Sequence, residues 1–219
     1  MFDCISSRYD LANHILSAGC DFYWRKRAAG IVARWKPSCV LDLATGSGDL
    51  ALALQRRLPR SEIIGADFSH EMLALARRKG VRKTVVADAL KLPFADQSFD
   101  AVTVAFGLRN MRDWAAALRE MRRVLNQSGH LLVLEFSLPS HSALRAAYRF
   151  YLHKVLPRLC TILTRDQTAY EYLGASIENF PRGPTMCELI NANGFADAAT
   201  RSLSGGIVAI YTASCSGGL

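Results

Sequence analysis

The sequence lacks several features that mark membrane, secreted and metal-binding proteins. None of its apolar runs is long enough to span a bilayer. Its first ten residues contain no basic segment followed by an apolar one, so we expect no signal peptide. The six cysteines include no CxxC pair, so we expect neither a zinc site nor a redox dithiol, and we predict no metal-binding residues. Scattered cysteines without an export signal are typical of reduced thiols in the cytoplasm.

Acidic residues are scarce relative to basic ones. The 219 residues carry 27 Lys and Arg against 19 Asp and Glu, a formal charge of +8. Such an excess of basic residues attracts an anionic partner, or the residues simply lie on solvent-exposed helix faces. We favour the second interpretation for most individual clusters of basic residues. There are no repeats and no linker-like stretch, so we expect one domain over residues 1–219, with ample length for a large core.

A strand, a glycine-rich turn and a helix follow one another near residue 45. The apolar run from Cys39 to Leu43 is typical of a buried parallel strand, and the helix is predicted from Asp49 to Leu58. Between them lie Gly46 and Gly48, which allow positive φ and close approach of the backbone to a ligand. The free N–H groups and positive dipole end of the helix favour a nucleotide or an anion at this turn.

The glycine pattern by itself fits two cofactors. Gly46-x-Gly48-x-x-Ala51 matches the dinucleotide fingerprint. The spacing Asp42-x-Ala44-x-Gly46-x-Gly48 matches the pattern of methyltransferases that use S-adenosylmethionine (SAM). An α/β turn that needs glycines for packing alone is a third interpretation.

Acidic residues at two further strand ends favour SAM. Asp67 ends the predicted strand from Glu62 about twenty residues past the glycine turn, where a carboxylate can accept both ribose hydroxyls. Asp88 follows the next predicted strand, Thr84–Ala87, and a second acid suits an adenine amino group, which must donate a hydrogen bond. Helix or turn capping is the alternative role for each acid. Ser69 is the predicted N-cap of the following helix.

The exit of the fourth predicted strand carries two candidate reactive-site residues. Residues 98–110 form this strand and the loop Phe106-Gly-Leu-Arg-Asn110, which lies at the carboxyl ends of the strands, where doubly wound sheets bind ligands. Arg109 and Asn110 on such a loop indicate function, with helix capping as the alternative for Asn110.

Two further predicted regions, one at the N-terminus and one after the fifth strand, are helical. Residues 1–36 form an N-terminal helical segment that either lies across the mouth of the site or packs on the sheet. Residues 139–177 form an insertion after strand five whose basic, aromatic, amphipathic pattern suits an anionic membrane, a lid over an apolar substrate, or a packed helix pair. A fifth strand over His130–Phe136 precedes it, after a turn at Asn126–Gly129, and a hairpin over residues 195–214 closes the chain.

The chain resembles the UbiE/MenG family of quinone C-methyltransferases over nearly its whole length. The matching segments are Tyr9–Asn13, Val40–Asp49, Asp88–Phe94, Phe106–Asn110, Leu132–Phe136 and Tyr170–Ile177. The glycine turn marks only a class I methyltransferase, whereas Phe-Gly-Leu-Arg-Asn and Leu-Glu-Phe-Ser are much more specific. The implied fold is α/β and Rossmann-like, with a seven-stranded, mostly parallel sheet and an antiparallel last strand.

The resemblance also implies site residues. The family's SAM contacts carry over to Ser47, where Thr is usual, and to Asp67, Asp88 and Ala89. The predicted cofactor set is completed by Asp42, Gly46, Gly48 and Phe68. Ala105 replaces a Ser that commonly precedes the exit-loop motif, so no side-chain role is expected there. Arg109 and Asn110 are the predicted catalytic residues, with Arg109 stabilising a phenolate or orienting a water, and Tyr9 and His153 are weaker candidates.

The implied reaction is methyl transfer from SAM to a ring carbon of demethylmenaquinol, a lipid-soluble prenylated quinol. The alternative substrate is a benzoquinol of the ubiquinone pathway, or the enzyme accepts both quinols. Three weaker alternatives are methylation of another small molecule or of RNA, an NAD-dependent oxidoreductase, and a SAM-binding protein without catalytic activity. We expect peripheral contact of a cytoplasmic enzyme with an anionic inner-membrane face and no nucleic-acid partner, because the Asn/Asp-Pro-Pro-aromatic segment of many nucleic-acid methyltransferases is missing. A homodimer is left open.

Overall fold

The computed structural model describes residues 19–155 and 168–215, with only the backbone of 168–173. The predicted helical segment before residue 19, including Tyr9, lies outside the described residues, as does the stretch 156–167 of the predicted insertion. The described strands are β1 (Cys39–Leu43), β2 (Glu62–Asp67), β3 (Lys83–Val86), β4 (Phe99–Ala105), β5 (Leu125–Phe136), β6 (Ala196–Leu203) and β7 (Val208–Ser214).

One helix precedes β1, and further helices lie between most of the strands that follow. They are α1 (Cys20–Arg34), α2 (Asp49–Arg57), α3 (His70–Lys79), α4 (Trp114–Val124), α5 (Ser142–Phe150), α6 (Thr168–Asn179) and α7 (Pro184–Ala192). Short turns of 3₁₀-helix lie at Leu108–Asn110 and Ser204–Gly206, and one turn of π-helix at Tyr151–Val155 follows α5.

The seven strands form one sheet in the order β3-β2-β1-β4-β5-β7-β6. Strand β7 is antiparallel to both of its neighbours, and the other pairs are parallel. This confirms the predicted fold class. The chain runs outward from β1 to β3 and then returns to place β4 on the other side of β1. Such a reversal opens a crevice at the carboxyl ends of β1 and β4, the usual ligand position in this architecture.

Both faces of the central strands are buried, which explains their near-continuous apolar sequence. Along β1, Leu41 and Leu43 pack into a core with α4 and α7, whereas Val40 packs into a second core with α1 and α2. The alternation follows the two-residue period of a strand. Helices therefore cover the sheet on both sides and leave its strand ends to the loops.

Strand β5 begins earlier than the sequence predicted. The predicted turn at Asn126–Gly129 lies within the strand, as an irregularity between the pairs Phe99–Leu125 and Ala101–His130. The amide of Asn126 donates a hydrogen bond of 2.6 Å to the carboxylate of Asp100 on β4. This cross-strand contact holds a turn-prone segment against the sheet, and local propensity cannot foresee it.

The predicted insertion is helical where the structure describes it. Helix α5 has no buried residue, and Leu144 and Phe150 on it are 40% and 62% exposed. Helix α6 packs against the 3₁₀ turn Leu108–Asn110 and the π-turn Tyr151–Val155. Among the described helices, none has both the length and the apolar character needed to cross a bilayer.

Candidate functional site

Two loops lie side by side at the carboxyl ends of β1 and β4. A Cβ on Gly107, in the loop after β4, would lie 2.5 Å from the Cβ of Ala44, in the turn after β1. Position 107 is therefore closed to any side chain. Ala44 itself has a φ of 51°, in the left-handed region that non-glycine residues rarely adopt. The sequence predicted that the backbone freedom of this turn comes mainly from Gly46 and Gly48. In the structure Ala44 also adopts a left-handed conformation.

The two glycines of the turn have positive φ, 56° at Gly46 and 86° at Gly48. At Gly48 a Cβ would also lie 2.4 Å from Cγ2 of Val81, just past α3. Helix α2 thus begins where the turn is pressed against the neighbouring α/β unit. Only glycine satisfies both conditions at position 48.

Asp42 lies beneath the turn, with 1% of its surface exposed. Its carboxylate accepts hydrogen bonds from the hydroxyls of Thr45, at 2.6 Å, and Thr103 on β4, at 2.7 Å. Burial raises the pKa of Asp42 to about 6, although both hydroxyls oppose the rise. The side chain therefore ties the turn to β4, and direct contact with the cofactor stays a prediction.

Asp67, at the end of β2, supports the turn from the other side. Its two oxygens accept hydrogen bonds from the backbone N–H of Gly46, at 2.9 Å, and of Ser69, at 3.0 Å. Burial raises its pKa, while these N–H groups favour the ionised form. The ribose role of Asp67 stays a prediction. The predicted N-cap is confirmed, because Ser69 Oγ accepts from Met72 N–H at 3.3 Å.

Asp88 and Ala89 follow β3, beside the end of β2. The pairing of Asp67 with Val86 brings the two acidic strand ends together. The side chain of Asp88 is exposed, and one oxygen accepts from the N–H of Leu90 at 2.9 Å. Phe68, which follows Asp67 in the chain, is 62% exposed. The nucleoside contacts of Phe68, Asp88 and Ala89 stay predictions.

Ser47 is buried in the turn and accepts a hydrogen bond from the ammonium group of Lys79 at 2.7 Å. The same ammonium lies 3.0 Å from a carboxylate oxygen of Asp49, the first residue of α2. The sequence gave no signal for this contact, since Lys79 ends α3, some thirty residues further along the chain. The described turn, with its helix start and two strand-end carboxylates, fits SAM as a nucleoside with a charged amino-acid tail.

Arg109 is buried in the loop after β4, with 5% of its surface exposed. Its guanidinium lies 2.7 Å from Oε1 of Glu135, at the end of β5, and also donates to the carbonyl of Phe106. Glu135 is fully buried. The two predicted catalytic residues and the glycine turn are thus brought to one edge of the sheet, but Arg109 carries a buried counter-ion.

Glu135 lies in the segment Leu132–Phe136 but is not among the residues predicted from the sequence, although the sequence contains a signal for it. A single carboxylate in the otherwise apolar run from Leu131 to Phe136 requires a buried partner, because an unpaired charge is very costly there. The identity of that partner is not readable from spacing.

Asn110 and Phe106 give this loop an unusual conformation. Phe106 has a φ of 59°, which is strained for a bulky side chain. The amide nitrogen of Asn110 lies 3.5 Å from the Phe106 carbonyl, and its buried Oδ1 accepts no hydrogen bond within the described part of the chain. A buried acceptor of this kind costs free energy unless a ligand or water donates to it.

An aromatic cluster that includes Trp24 of α1 borders the loop after β4. The rings of Phe106 and Phe136 lie 4.6 Å apart, and Trp24 contacts both, at 6.0 and 6.2 Å. Trp24 also donates to Ser204 Oγ at 2.8 Å, and the guanidinium of Arg25 lies 5.3 Å from the Phe106 ring. The described part of the N-terminal segment therefore contacts the loop as well as the sheet, and its position across the mouth of the site stays a prediction.

The insertion reaches the same loop through α6. Tyr148 on α5 is half-buried; burial raises its pKa, and the charge of Arg109 opposes that rise. His153, a weaker candidate, lies 3.3 Å from Glu178, which also pairs with Arg149 at 2.8 Å. Within residues 19–155 and 168–215, no three His, Cys, Asp or Glu side chains are grouped as a metal site.

The comparisons agree with this geometry. Residues 1–215 match the model of the ubiE/COQ5 methyltransferase family. The chain is 45% identical over 216 residues to a protein of Thermus thermophilus named demethylmenaquinone methyltransferase, covering 96% of this chain and 98% of that one. A protein of the same name from Deinococcus radiodurans is 43% identical, covering 96% and 89%.

A solved structure shares the fold. It is a SAM-dependent methyltransferase of Thermotoga maritima, described as a possible histamine N-methyltransferase, with a TM-score of 0.70, 19% identity and 98% of each chain covered. Identity at that level shows the fold alone. The sheet order, the glycine turn between two acidic strand ends, and a family match over nearly the whole length together lead to one conclusion: this chain belongs to the ubiE/COQ5 methyltransferase family and is a SAM-dependent methyltransferase.

Proposed function

We propose that the protein transfers the methyl group of SAM to a ring carbon of demethylmenaquinol and releases menaquinol and S-adenosylhomocysteine. The observation that carries the proposal is the near full-length match, at 39–45% identity, to proteins of four genera named demethylmenaquinone methyltransferase. When bound, SAM supplies an electrophilic methyl on its sulfonium. The C–S bond breaks, a C–C bond forms, and the ring hydrogen leaves as a proton.

The residues at the sheet edge have distinct tasks in this reaction. Gly46 and Gly48 let the backbone approach the cofactor, while Asp67 and Asp88 accept hydrogen bonds from its nucleoside. A ring carbon is a weak nucleophile until a neighbouring phenol with a pKa near ~10 loses its proton. Arg109 is a cation close to the strand ends and lowers the energy of the phenolate. It is not a base, because guanidinium stays protonated.

Asn110 orients the same phenol. Its buried Oδ1, which has no donor among the described residues, is an acceptor for a quinol hydroxyl or for a water that carries the proton away. The aromatic rings of Phe106 and Phe136 give the quinol ring an apolar surface. Water is excluded, and the methyl and the ring carbon are held within reach of each other.

The insertion 139–177 of the single domain serves the prenyl tail and the membrane. Helix α5 exposes Leu144 and Phe150 and carries Arg145 and Arg149 without an acidic residue. A lipid-soluble substrate resides in the bilayer, so an amphipathic basic helix that lies on an anionic surface brings the enzyme to it. The enzyme is therefore cytoplasmic and peripherally bound to the inner membrane face.

The function is tested with labelled SAM and two chemically reduced acceptors, demethylmenaquinol and a benzoquinol precursor of ubiquinol. We expect label in the naphthoquinol, and a loss of at least 100-fold in kcat for Arg109→Ala, while SAM binding by calorimetry stays within threefold. Label in the benzoquinol alone would replace the proposed substrate, and label in both would make the enzyme dual-substrate. SAM binding without label in either would remove the quinol from the proposal.

Membrane contact is tested by sedimentation with vesicles containing anionic phosphatidylglycerol at low salt. The wild type should sediment, and Leu144→Ser with Phe150→Ser should not. The matched control is Val86→Ser, which alters a 43% exposed apolar residue at the end of β3. Equal binding of all three proteins would contradict the role of α5. Ultracentrifugation without vesicles reports whether the protein is a homodimer.

A further inference from the structure

The carboxylate of Glu135 holds both the side chain and the backbone of Arg109. Oε1 lies 2.7 Å from the guanidinium, and Oε2 accepts from the Arg109 N–H at 3.3 Å. Oε1 also accepts from the N–H of Phe136 at 3.0 Å. One residue at the end of β5 thus fixes the position of Arg109 relative to the sheet.

The Arg109–Glu135 pair lies at the strained part of the loop after β4, Phe106–Asn110, which we call the exit loop. The Arg109 guanidinium donates to the carbonyl of Phe106, whose φ is 59°, and lies 5.3 Å from the ring centre of Phe136. The ion pair is almost fully removed from water, with 2% and 0% of the two side chains exposed. Interactions between charges are strong in such surroundings.

We propose that Glu135 is a positioning residue for methyl transfer: it holds Arg109 at the exit loop and offsets part of its positive charge, and so sets how strongly the bound phenol is acidified. The proposal rests on the function proposed above. A full cation within about 4–6 Å lowers the pKa of an acid by roughly 1–3. A neutral pair lowers it less, which leaves the phenolate more basic and its ring carbon more nucleophilic.

Other ionisable groups face the pair from the elements packed around it. Tyr148 on α5 is affected by the charge of Arg109, and Tyr211 on β7 by that of Glu135. Arg25 on α1 lies over the Phe106 ring. Beside α6, His153 contacts Glu178. All of these groups are unchanged in the Glu135 variants, so a shift confined to those variants reports the carboxylate of Glu135.

The test measures kcat against pH with demethylmenaquinol for the wild type, Glu135→Gln and Glu135→Asp. The amide of Gln keeps an acceptor for Arg109 but removes the negative charge. We expect the acid limb of the profile to move down by about one pH unit or more, with the KM for SAM within twofold. Asp keeps the negative charge but moves it away from Arg109 by the length of one methylene. The acid limb of the profile should therefore stay in place while kcat falls at least tenfold.

The matched control is Glu120→Gln, which neutralises a carboxylate paired with Arg123 at 2.8 Å, on α4 and outside the predicted site. Its profile should equal that of the wild type. An unmoved acid limb in Glu135→Gln that still binds SAM would overturn the proposal. If that variant fails to fold, Glu135→Asp decides: a kcat within twofold of wild type overturns the proposal, and a tenfold loss at unchanged KM for SAM supports it.

A second readout separates this proposal from the proposed function. The pKa of 2-naphthol, a fluorescent phenol used as a probe of the quinol ring, is titrated on the enzyme saturated with S-adenosylhomocysteine. A lower pKa in Glu135→Gln than in the wild type supports the role of Glu135 even if neither quinol is methylated. Equal values in the two proteins overturn it, whatever the activity of the wild type.

Discussion

The turn after β1 and the loop after β4 lie beside each other but are held in different ways. In the first, the carboxylates of Asp42 and Asp67 are satisfied by hydroxyl and backbone N–H donors. In the second, a full ion pair between Arg109 and Glu135 is buried, and the backbone is strained at Phe106. We call the first region the cradle: its carboxylates meet neutral donors, whereas the second region, the exit loop Phe106–Asn110, buries a pair of full charges.

The difference shows how one sheet edge divides its tasks. Neutral donors around a carboxylate fix the geometry of the turn. A buried cation with a tunable counter-ion provides a field where charge develops in a reaction.

Removing the counter-ion should cost most. Glu135→Ala leaves the Arg109 guanidinium buried without its partner, so we expect the free energy of unfolding in urea to fall by about 3–5 kcal/mol. The control is Glu120→Ala, whose pair with Arg123 is partly exposed and should contribute about 1 kcal/mol or less. Equal losses in the two variants would mean that the exit loop is not held by a buried charge.

Gly48→Ala should be the most damaging change in the cradle. A methyl group there meets Val81 at 2.4 Å, and the φ of 86° is strained for alanine. Overpacking and the left-handed backbone together predict a loss of about 2–5 kcal/mol. Gly30→Ala in α1, where no atom lies within 4 Å of the added Cβ, should instead gain about 0.5–1 kcal/mol. A tolerated Gly48→Ala would show that the turn has room to move.

Asp42 should make stability depend on pH. Its pKa rises from 3.8 to about 6 on folding, so the protonated form favours the native state, and this contribution is lost as pH rises through 6. Relative to Asp42→Asn, the wild type should lose about 2–3 kcal/mol between pH 4 and pH 7, measured by urea unfolding at each pH. Parallel curves for the two proteins would indicate that the Asp42 carboxyl is not desolvated.

The helix caps beside the two regions should differ least. Ser69 caps α3 next to the cradle, and Asp113 caps α4 after the exit loop, accepting from Ala116 N–H at 2.9 Å. Alanine at either position should lower the free energy of unfolding by about 1 kcal/mol, as thermal melts can show. A much larger loss at one cap would place it within the network of its neighbouring loop.

Local patterns in the sequence predicted most of the fold. The apolar run Cys39–Leu43, the glycines at 46 and 48 and the acids at 67 and 88 each depend on a few neighbouring residues, and the strands and helices begin close to the predicted positions. The segment Asn126–Gly129 did not follow its turn propensity, because Asp100 on another strand holds Asn126. The predicted contacts of Asp67, Asp88 and Asn110 with ligands stay predictions.

The fold class, the position of the glycine turn and the candidates Arg109 and Asn110 can be predicted from the sequence, because strand period, glycine freedom and strand-end acids are short-range properties. The pairing of Glu135 with Arg109, the contact of Lys79 with Ser47 and the contact of Trp24 with the exit loop depend on tertiary packing. These partners lie 26, 32 and 82 positions apart along the chain. Tertiary packing brings them together, because strand ends and helices that are distant in sequence meet at one edge of the sheet, and no local pattern encodes which side chains will meet.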